Sequence, residues 1–145
     1  MSGRNAGSAK RLLLDANVVV SGSLFGGLEA ELLRGARAGL FVAVTTDYVL
    51  DEIRRVLHGK FGVPLSAAAE VLSGLAPELV PEPPPAVLAV AERLLRDPRD
   101  IPILAAAIAA GVDGLVTGDK DLHTPEVKAR ILVLTTREAL DLVKG

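Results

Sequence analysis

The chain has no cysteine, which removes disulfides, thiolate zinc sites and iron–sulfur clusters from consideration. Its two histidines, His58 and His123, are too few and too far apart in sequence for a histidine-rich catalytic zinc site. A catalytic metal would therefore rest mainly on oxygen ligands, which suit hard ions such as Mg²⁺ or Mn²⁺. Aromatic residues are scarce at 3%, namely Phe25, Phe41, Phe61 and Tyr48, which argues against a stacking platform that binds single strands passively. There is no basic excess either: with a formal net charge of −2, no global field draws nucleic acid. The longest apolar stretch, Ile103 to Val112, is far shorter than the roughly 20 residues of a membrane span. The first residues are polar where a secretory signal would be apolar. These absences predict a soluble cytoplasmic protein, in which any RNA contact comes from local basic patches and metal ions.

What is present is the composition of one globular domain: 145 residues, 50% hydrophobic and 23% charged. A chain of this size buries roughly two thirds of its unfolded surface, enough to stand without covalent or metal staples. Met1 to Lys10 are small and polar and read as a flexible tail, so the domain is expected over residues 11–145. Four short apolar runs, Leu12 to Leu14, Phe41 to Val44, Gly114 to Val116 and Ile131 to Val133, have the pattern of strands buried on both faces. Helical segments are expected over Leu24 to Ala38, Asp47 to His58, Ser66 to Leu79, Ala86 to Leu95, Ile101 to Ala110 and Arg137 to Val143. Strands alternating with helices predict the α/β class: a three-layer α/β/α sandwich around a short, mainly parallel sheet. Thr135 with Glu138 makes a capping box for the last helix, and Thr45, Thr46 or Asp47 can cap the second. Pro81 to Pro85 reads as a stiff spacer between helices.

In parallel sheets the functional crevice lies beyond the carboxyl ends of the strands. Asp15 and Asn17 follow the first strand, and Thr117, Asp119 and Asp121 follow the strand Gly114 to Val116. Taken singly, each suits an ordinary turn. Glu52 is less ordinary. It lies at the edge of the apolar stripe of Val49, Leu50, Ile53, Val56 and Leu57, whereas Asp51 points into the charged face. A carboxylate carried toward the buried side of a helix needs a basic partner or a metal, unless it reaches back to solvent. Asp100 precedes a segment apolar on every side, Ile101 to Ala110, with Pro102 in its first turn. It can cap that helix and still offer a second oxygen to a metal. Asp97 fits better as a turn former or the partner of an arginine. Four acids brought together repel unless cations neutralise them. One ion, or two about 4 Å apart, would activate water for in-line attack on a phosphodiester and neutralise the leaving oxygen. The sequence has no phosphate-binding Gly-x-x-x-x-Gly-Lys loop and no Gly-x-Ser-x-Gly elbow.

The same segments carry a family resemblance. Leu12-Leu-Leu-Asp15-Ala-Asn17-Val-Val-Val-Ser21 resembles the strand end that opens PIN domains, and Asp47-Tyr-Val-Leu-Asp-Glu52-Ile resembles their helix with an embedded glutamate. Arg96-Asp-Pro-Arg-Asp100-Ile-Pro and Leu115-Val-Thr117-Gly-Asp119-Lys-Asp121 resemble their third and fourth acidic elements. These last two look especially like the subgroup of VapC-like toxins from toxin–antitoxin pairs. The resemblance runs from Leu12 to about Thr135. It implies that Asp15, Glu52, Asp100 and Asp119 are catalytic and bind Mg²⁺ or Mn²⁺, with Asn17, Thr117, Asp121 and Ser21 in support. Ser21 could equally be a helix cap. One departure is Ile101, where such proteins often carry a polar residue right after the third acid.

The resemblance further implies a metal-dependent endoribonuclease, often a homodimer and often held by a small antitoxin. Apolar residues of the segments Leu24 to Ala38 and Ser66 to Leu79 could supply a dimer face. Arg34, Arg37, Arg54, Arg55, Lys60 and Lys120 are candidates for phosphate contacts. Two alternatives stand beside this reading: a non-cleaving PIN-fold protein that binds RNA or a partner, and a Mg-dependent phosphotransfer enzyme. Retention of four mutually repelling acids speaks against the first. Asn17 stands where a haloacid-dehalogenase-like phosphatase carries its second aspartate, which speaks against the second.

Overall fold

Three consecutive leucines at the start of the chain explain the architecture. Leu12, Leu13 and Leu14 are 0%, 0% and 2% exposed. Successive strand residues face opposite sides, so a run buried at every position belongs to a sheet covered on both faces. The computed structural model describes residues 9–145. Of the tail expected over Met1 to Lys10, Met1 to Ser8 lie outside the described residues. The strands are β1 (Lys10–Leu14), β2 (Phe41–Thr45), β3 (Glu78–Leu79), β4 (Gly114–Val116) and β5 (Val133–Leu134). All are parallel, in the order β3-β2-β1-β4-β5, with Leu13 between Val44 and Leu115. The three-layer α/β/α arrangement is the one the alternating pattern predicts.

Among the described residues the helices are α1 (Ala16–Leu24), α2 (Gly27–Arg37), α3 (Asp47–Arg54), α4 (Leu65–Leu75), α5 (Pro85–Leu94), α6 (Ile101–Ala110), α7 (Pro125–Lys128) and α8 (Thr136–Lys144). None is long and apolar enough to cross a membrane. Two expected features of helix ends are present. The Thr46 hydroxyl accepts the Val49 N–H at 3.1 Å at the start of α3, and Thr135 with Glu138 forms the full capping box of α8.

Several element limits differ from the sequence reading. The helix expected from Leu24 to Ala38 begins only at Gly27, because Gly26 and Gly27 adopt φ of 75° and 72°, values that L side chains rarely take, and separate it from a preceding helix that ends at Leu24. α1 itself was not expected, since Val18-Val19-Val20 favours strand by propensity; burial of all three against the core overrides that preference. The helix expected over Ser66 to Leu79 stops at Leu75, where Ala76 turns left-handed at φ 45° ahead of Pro77. Glu78–Leu79 then forms the edge strand β3. α3 continues past Arg54 as one π-helical turn, Arg55–Lys60. The last strand is Val133–Leu134 and not Ile131 to Val133, after the short helix α7 that Thr124 caps.

The sheet order fixes where a site can form. After β1 the chain builds outward through β2 and β3, then crosses back to place β4 and β5 on the other side of β1. The carboxyl ends of β1 and β4 are therefore the topological switch point, where chains leaving in opposite directions open a crevice.

Candidate metal centre

Asp15 leaves β1 at that crevice. Its backbone N–H donates to the Val116 carbonyl at 3.0 Å, locking the end of β1 to the end of β4. Thr117, the residue after β4, is fully buried. Its hydroxyl donates to Asp15 Oδ2 at 2.7 Å and accepts the Asp119 N–H at 3.0 Å, so one side chain sets the spacing of two acids. The Thr117 carbonyl in turn accepts from His123 Nε2 at 2.7 Å, which places the ring hydrogen on that nitrogen. Asp119 Oδ1 accepts the Asp121 N–H at 2.9 Å and starts a 3₁₀ turn over Lys120–Leu122. Asp100 ends another 3₁₀ turn, Pro98–Asp100, at the start of α6, and Glu52 reaches in from α3.

These elements bring Asp15, Glu52, Asp100 and Asp119 to the wall of one cavity of about 160 Å³, with Asn17, Tyr48, Asp97 and Arg99 beside them. Asp100, Asp119 and Asp121 are the tightest group, each offering an oxygen within 4.8 Å of the others. The wall residues and this cluster are not the same set. Asp15 has one oxygen already committed to Thr117, and Asp121 is exposed at the rim.

The electrostatics record the crowding. Burial pushes Asp100 up to about 7, helped by a hydrogen bond to Asp119 and by the charges of Asp119, Asp97 and Asp15. Asp15 is raised by burial, against which the Thr117 hydroxyl and the amides of Ala16 and Asn17 pull down. Glu52 is raised by burial and then by the charge of Asp15, with Arg55 and Arg99 opposing. Asp100 Oδ2 is buried and has no hydrogen-bond partner. A buried carboxylate oxygen with nothing to accept from is costly unless a cation meets it. Together with an all-oxygen donor set, that orphaned atom fits a hard divalent ion.

The sequence-derived candidates distribute as follows. Asn17 is exposed at the cavity wall, and Thr117 lies beneath it. Ser21 lies inside α1 and caps no helix. Asp100 stands at the N-cap position of α6 but makes no capping bond, so its side chain is not spent on the helix. Asp97 pairs with Arg99, as its neighbourhood suggested: Arg99 Nη2 and Nε donate to it at 2.9 and 3.2 Å. Ile101 is half-buried and offers no polar atom. Tyr48 and Arg99 were not anticipated. The Tyr48 hydroxyl donates to the Arg99 carbonyl at 3.1 Å, and burial with the charges of Glu52 and Asp100 raises its pKa and keeps it a neutral donor. The available signal was helical spacing: Tyr48 lies one turn before Glu52 and shares its face.

A family model described as PIN domain matches residues 11–121, a span that holds all four acids. The chain belongs to the PIN-domain family. PIN domains are in general nucleases that work with divalent metals, which agrees with a cavity walled by carboxylates. The fold is similar to PAE2754 from Pyrobaculum aerophilum, with a TM-score of 0.61 at 18% identity over 94% of this chain and 98% of that one. It is also similar to a chain of VapBC2 from Rickettsia felis, solved bound to a DNA fragment from their promoter. There the TM-score is 0.63 at 14% identity, over 86% of this chain and 98% of the other. No curated protein matches the sequence.

Proposed function

We propose that this PIN domain is a Mg²⁺- or Mn²⁺-dependent endoribonuclease that hydrolyses RNA phosphodiester bonds, and that it is the toxin of a toxin–antitoxin pair. The observation that carries the reading is Asp100 Oδ2, a buried acceptor without a partner on the wall that Asp15, Glu52 and Asp119 share. Asp100 and Asp119 are the principal metal ligands, Asp15 and Glu52 complete the carboxylate wall, and Asp121 is an auxiliary ligand at the rim. When bound, the divalent ion supplies an acidified water and neutralises charge on the phosphate. Thr117 holds Asp15 and Asp119 at fixed spacing, the kind of outer support that keeps ligating carboxylates oriented. Asn17, exposed at the wall, offers amide donors to a phosphate oxygen. Arg99 is held by Asp97 at the same wall and gives the polyanion a cation to meet.

The fold likeness to a chain of the VapBC2 complex supports a protein antitoxin as partner, and the family resemblance supports a cytoplasmic homodimer. The test is cleavage of a mixed panel of labelled single-stranded RNAs with Mn²⁺ or Mg²⁺, using the wild type, Asp100→Asn, and the wild type with chelator. Cutting by the wild type with metal alone is the expected result. If no RNA is cut and calorimetry detects no Mn²⁺ binding, the reading fails and the chain is a binding scaffold.

A further inference from the structure

A second cavity, of about 260 Å³, adjoins the acids, and Tyr48 lines both. It forms where the first turn of α3 and the start of α6 face the proline segment before α5. Pro83, Leu88 and Pro102 give it apolar walls, while Asp47 and Glu82 bring carboxylates. Its volume falls below the roughly 300–1,000 Å³ of pockets for whole drug-sized ligands, so it suits a fragment such as one flat ring system. Two of its walls are prolines, which fix the backbone and offer no N–H. The Thr46 hydroxyl accepts the Val49 N–H and keeps its own O–H as a single donor. The carboxylates of Asp47 and Glu82 have no hydrogen bond or ion pair among the described residues, and ionised carboxylates only accept. Tyr48 is 39% exposed, with its hydroxyl anchored on the Arg99 carbonyl, which leaves the ring as a fixed partition between the two cavities.

We infer that this cavity is a nucleobase pocket that takes guanine from the nucleotide beside the cleaved phosphate. The inference names the substrate preference of the proposed ribonuclease and rests on that reading. Apolar walls with an aromatic partition suit an unstacked base, the form in which single-stranded RNA is read. Two carboxylates beside a single hydroxyl donor favour a base that mainly donates. Guanine places two donors side by side, N1–H and the N2 amino group, opposite such carboxylates. Adenine and cytosine each bring one amino group. Uracil flanks its single N3–H with two carbonyl oxygens, which two carboxylates repel. The order of preference is therefore guanine first and uracil last.

The test uses the full chain carrying Asp100→Asn, so that RNA stays intact, and titrates it with the four homodinucleotides while following methyl resonances by NMR. The expected result is that the guanine dinucleotide moves the methyls of Val80, Leu88 and Ala106 and binds about tenfold more tightly than the uracil one. Asp47→Asn combined with Glu82→Gln reduces that ratio below about twofold. In the Asp100-intact chain the same pair leaves Mn²⁺ affinity unchanged. Equal affinity for all four bases overturns the inference, as do shifts confined to Val49 and Ile103 beside the acids. Movement of Leu88 by an arginine-rich peptide and by no nucleotide also overturns it, and assigns the cavity to a protein partner. The readout needs no cleavage. Guanine binding with no RNA cut by the wild type sinks the nuclease reading and keeps the pocket; cutting without base preference does the reverse.

Discussion

At the amino end of the sheet Arg11 meets Glu78 and Asp113, and at the carboxyl end Asp15, Glu52, Asp100 and Asp119 meet one another. Arg11 donates to the two oxygens of Glu78 at 2.8 and 2.6 Å through Nε and Nη2, to the Ala110 carbonyl at 3.0 Å, and through its backbone N–H to Asp113 at 2.7 Å. Every acid there has a donor, and the guanidinium is raised by the same contacts, chiefly the hydrogen bond to Glu78. At the other end Asp15, Glu52 and Asp100 are raised, not lowered, and one buried oxygen has no donor at all. Acids that hold a fold together come with their cations built in, whereas acids that leave room for a diffusible cation cost stability until it arrives.

The sharpest way to break this comparison is Asp100→Asn. Cleavage and Mn²⁺ binding should fall by on the order of a hundredfold or more, read by RNA assay and calorimetry. Stability should move the other way. Asp100 titrates near 7 in the metal-free folded chain, against an ordinary value of 3.8. Between those values the folded chain holds a proton that the unfolded chain has released, so wild-type stability falls as pH rises through the window. The variant lacks this loss. Above pH 7 it should be more stable than the metal-free wild type by on the order of 1–2 kcal/mol, after allowing for solvent screening. Thermal melts across pH in chelator would show it, and parallel curves for the two proteins would contradict it.

Thr117→Val comes next. It removes the donor to Asp15 and the acceptor for the Asp119 amide while keeping the shape of the side chain. Mn²⁺ affinity should drop about 10–100-fold, the usual cost of losing an outer support. At the opposite end, Arg11→Ala should destabilise the fold by about 1–3 kcal/mol in urea, because Glu78 loses the guanidinium and the Ala110 carbonyl its donor, while the backbone N–H of residue 11 still serves Asp113. Mn²⁺ affinity should stay within about twofold. Loss of metal binding in this variant would mean that the two ends are coupled. The smallest change is Ala76→Gly, which relieves a left-handed residue at φ 45° and should add about 0.5–1 kcal/mol without touching either cluster.

Much of this contrast was legible in the sequence at one end only. Asp15 and Asp119 were visible because a buried strand ends abruptly in acids, and Glu52 because it interrupts an apolar face. Arg11 was not, since a single arginine entering a strand looks like any solvated cation; its partner Glu78 lies 67 residues away on an edge strand that read as helix. The overrun of the helices had local causes. Gly26-Gly27 and Ala76-Pro77 are breakers that helical periodicity alone ignores, and two residues of strand carry too little pattern to recognise. Tyr48 escaped because an aromatic after a cap ordinarily packs on the core, whereas here it is held outward by a carbonyl on another loop.

The hydroxyl of Thr117 joins residues that are 102 positions apart, and this bears on how the protein is made. A chain emerging from the ribosome presents Asp15, Glu52 and Asp100 well before Thr117 and Asp119. Until β4 docks beside β1, the first three acids have neither their spacer nor their fourth member. The four acids therefore come together only once β4 has docked, and a fragment that stops before Thr117 lacks both the spacer and Asp119.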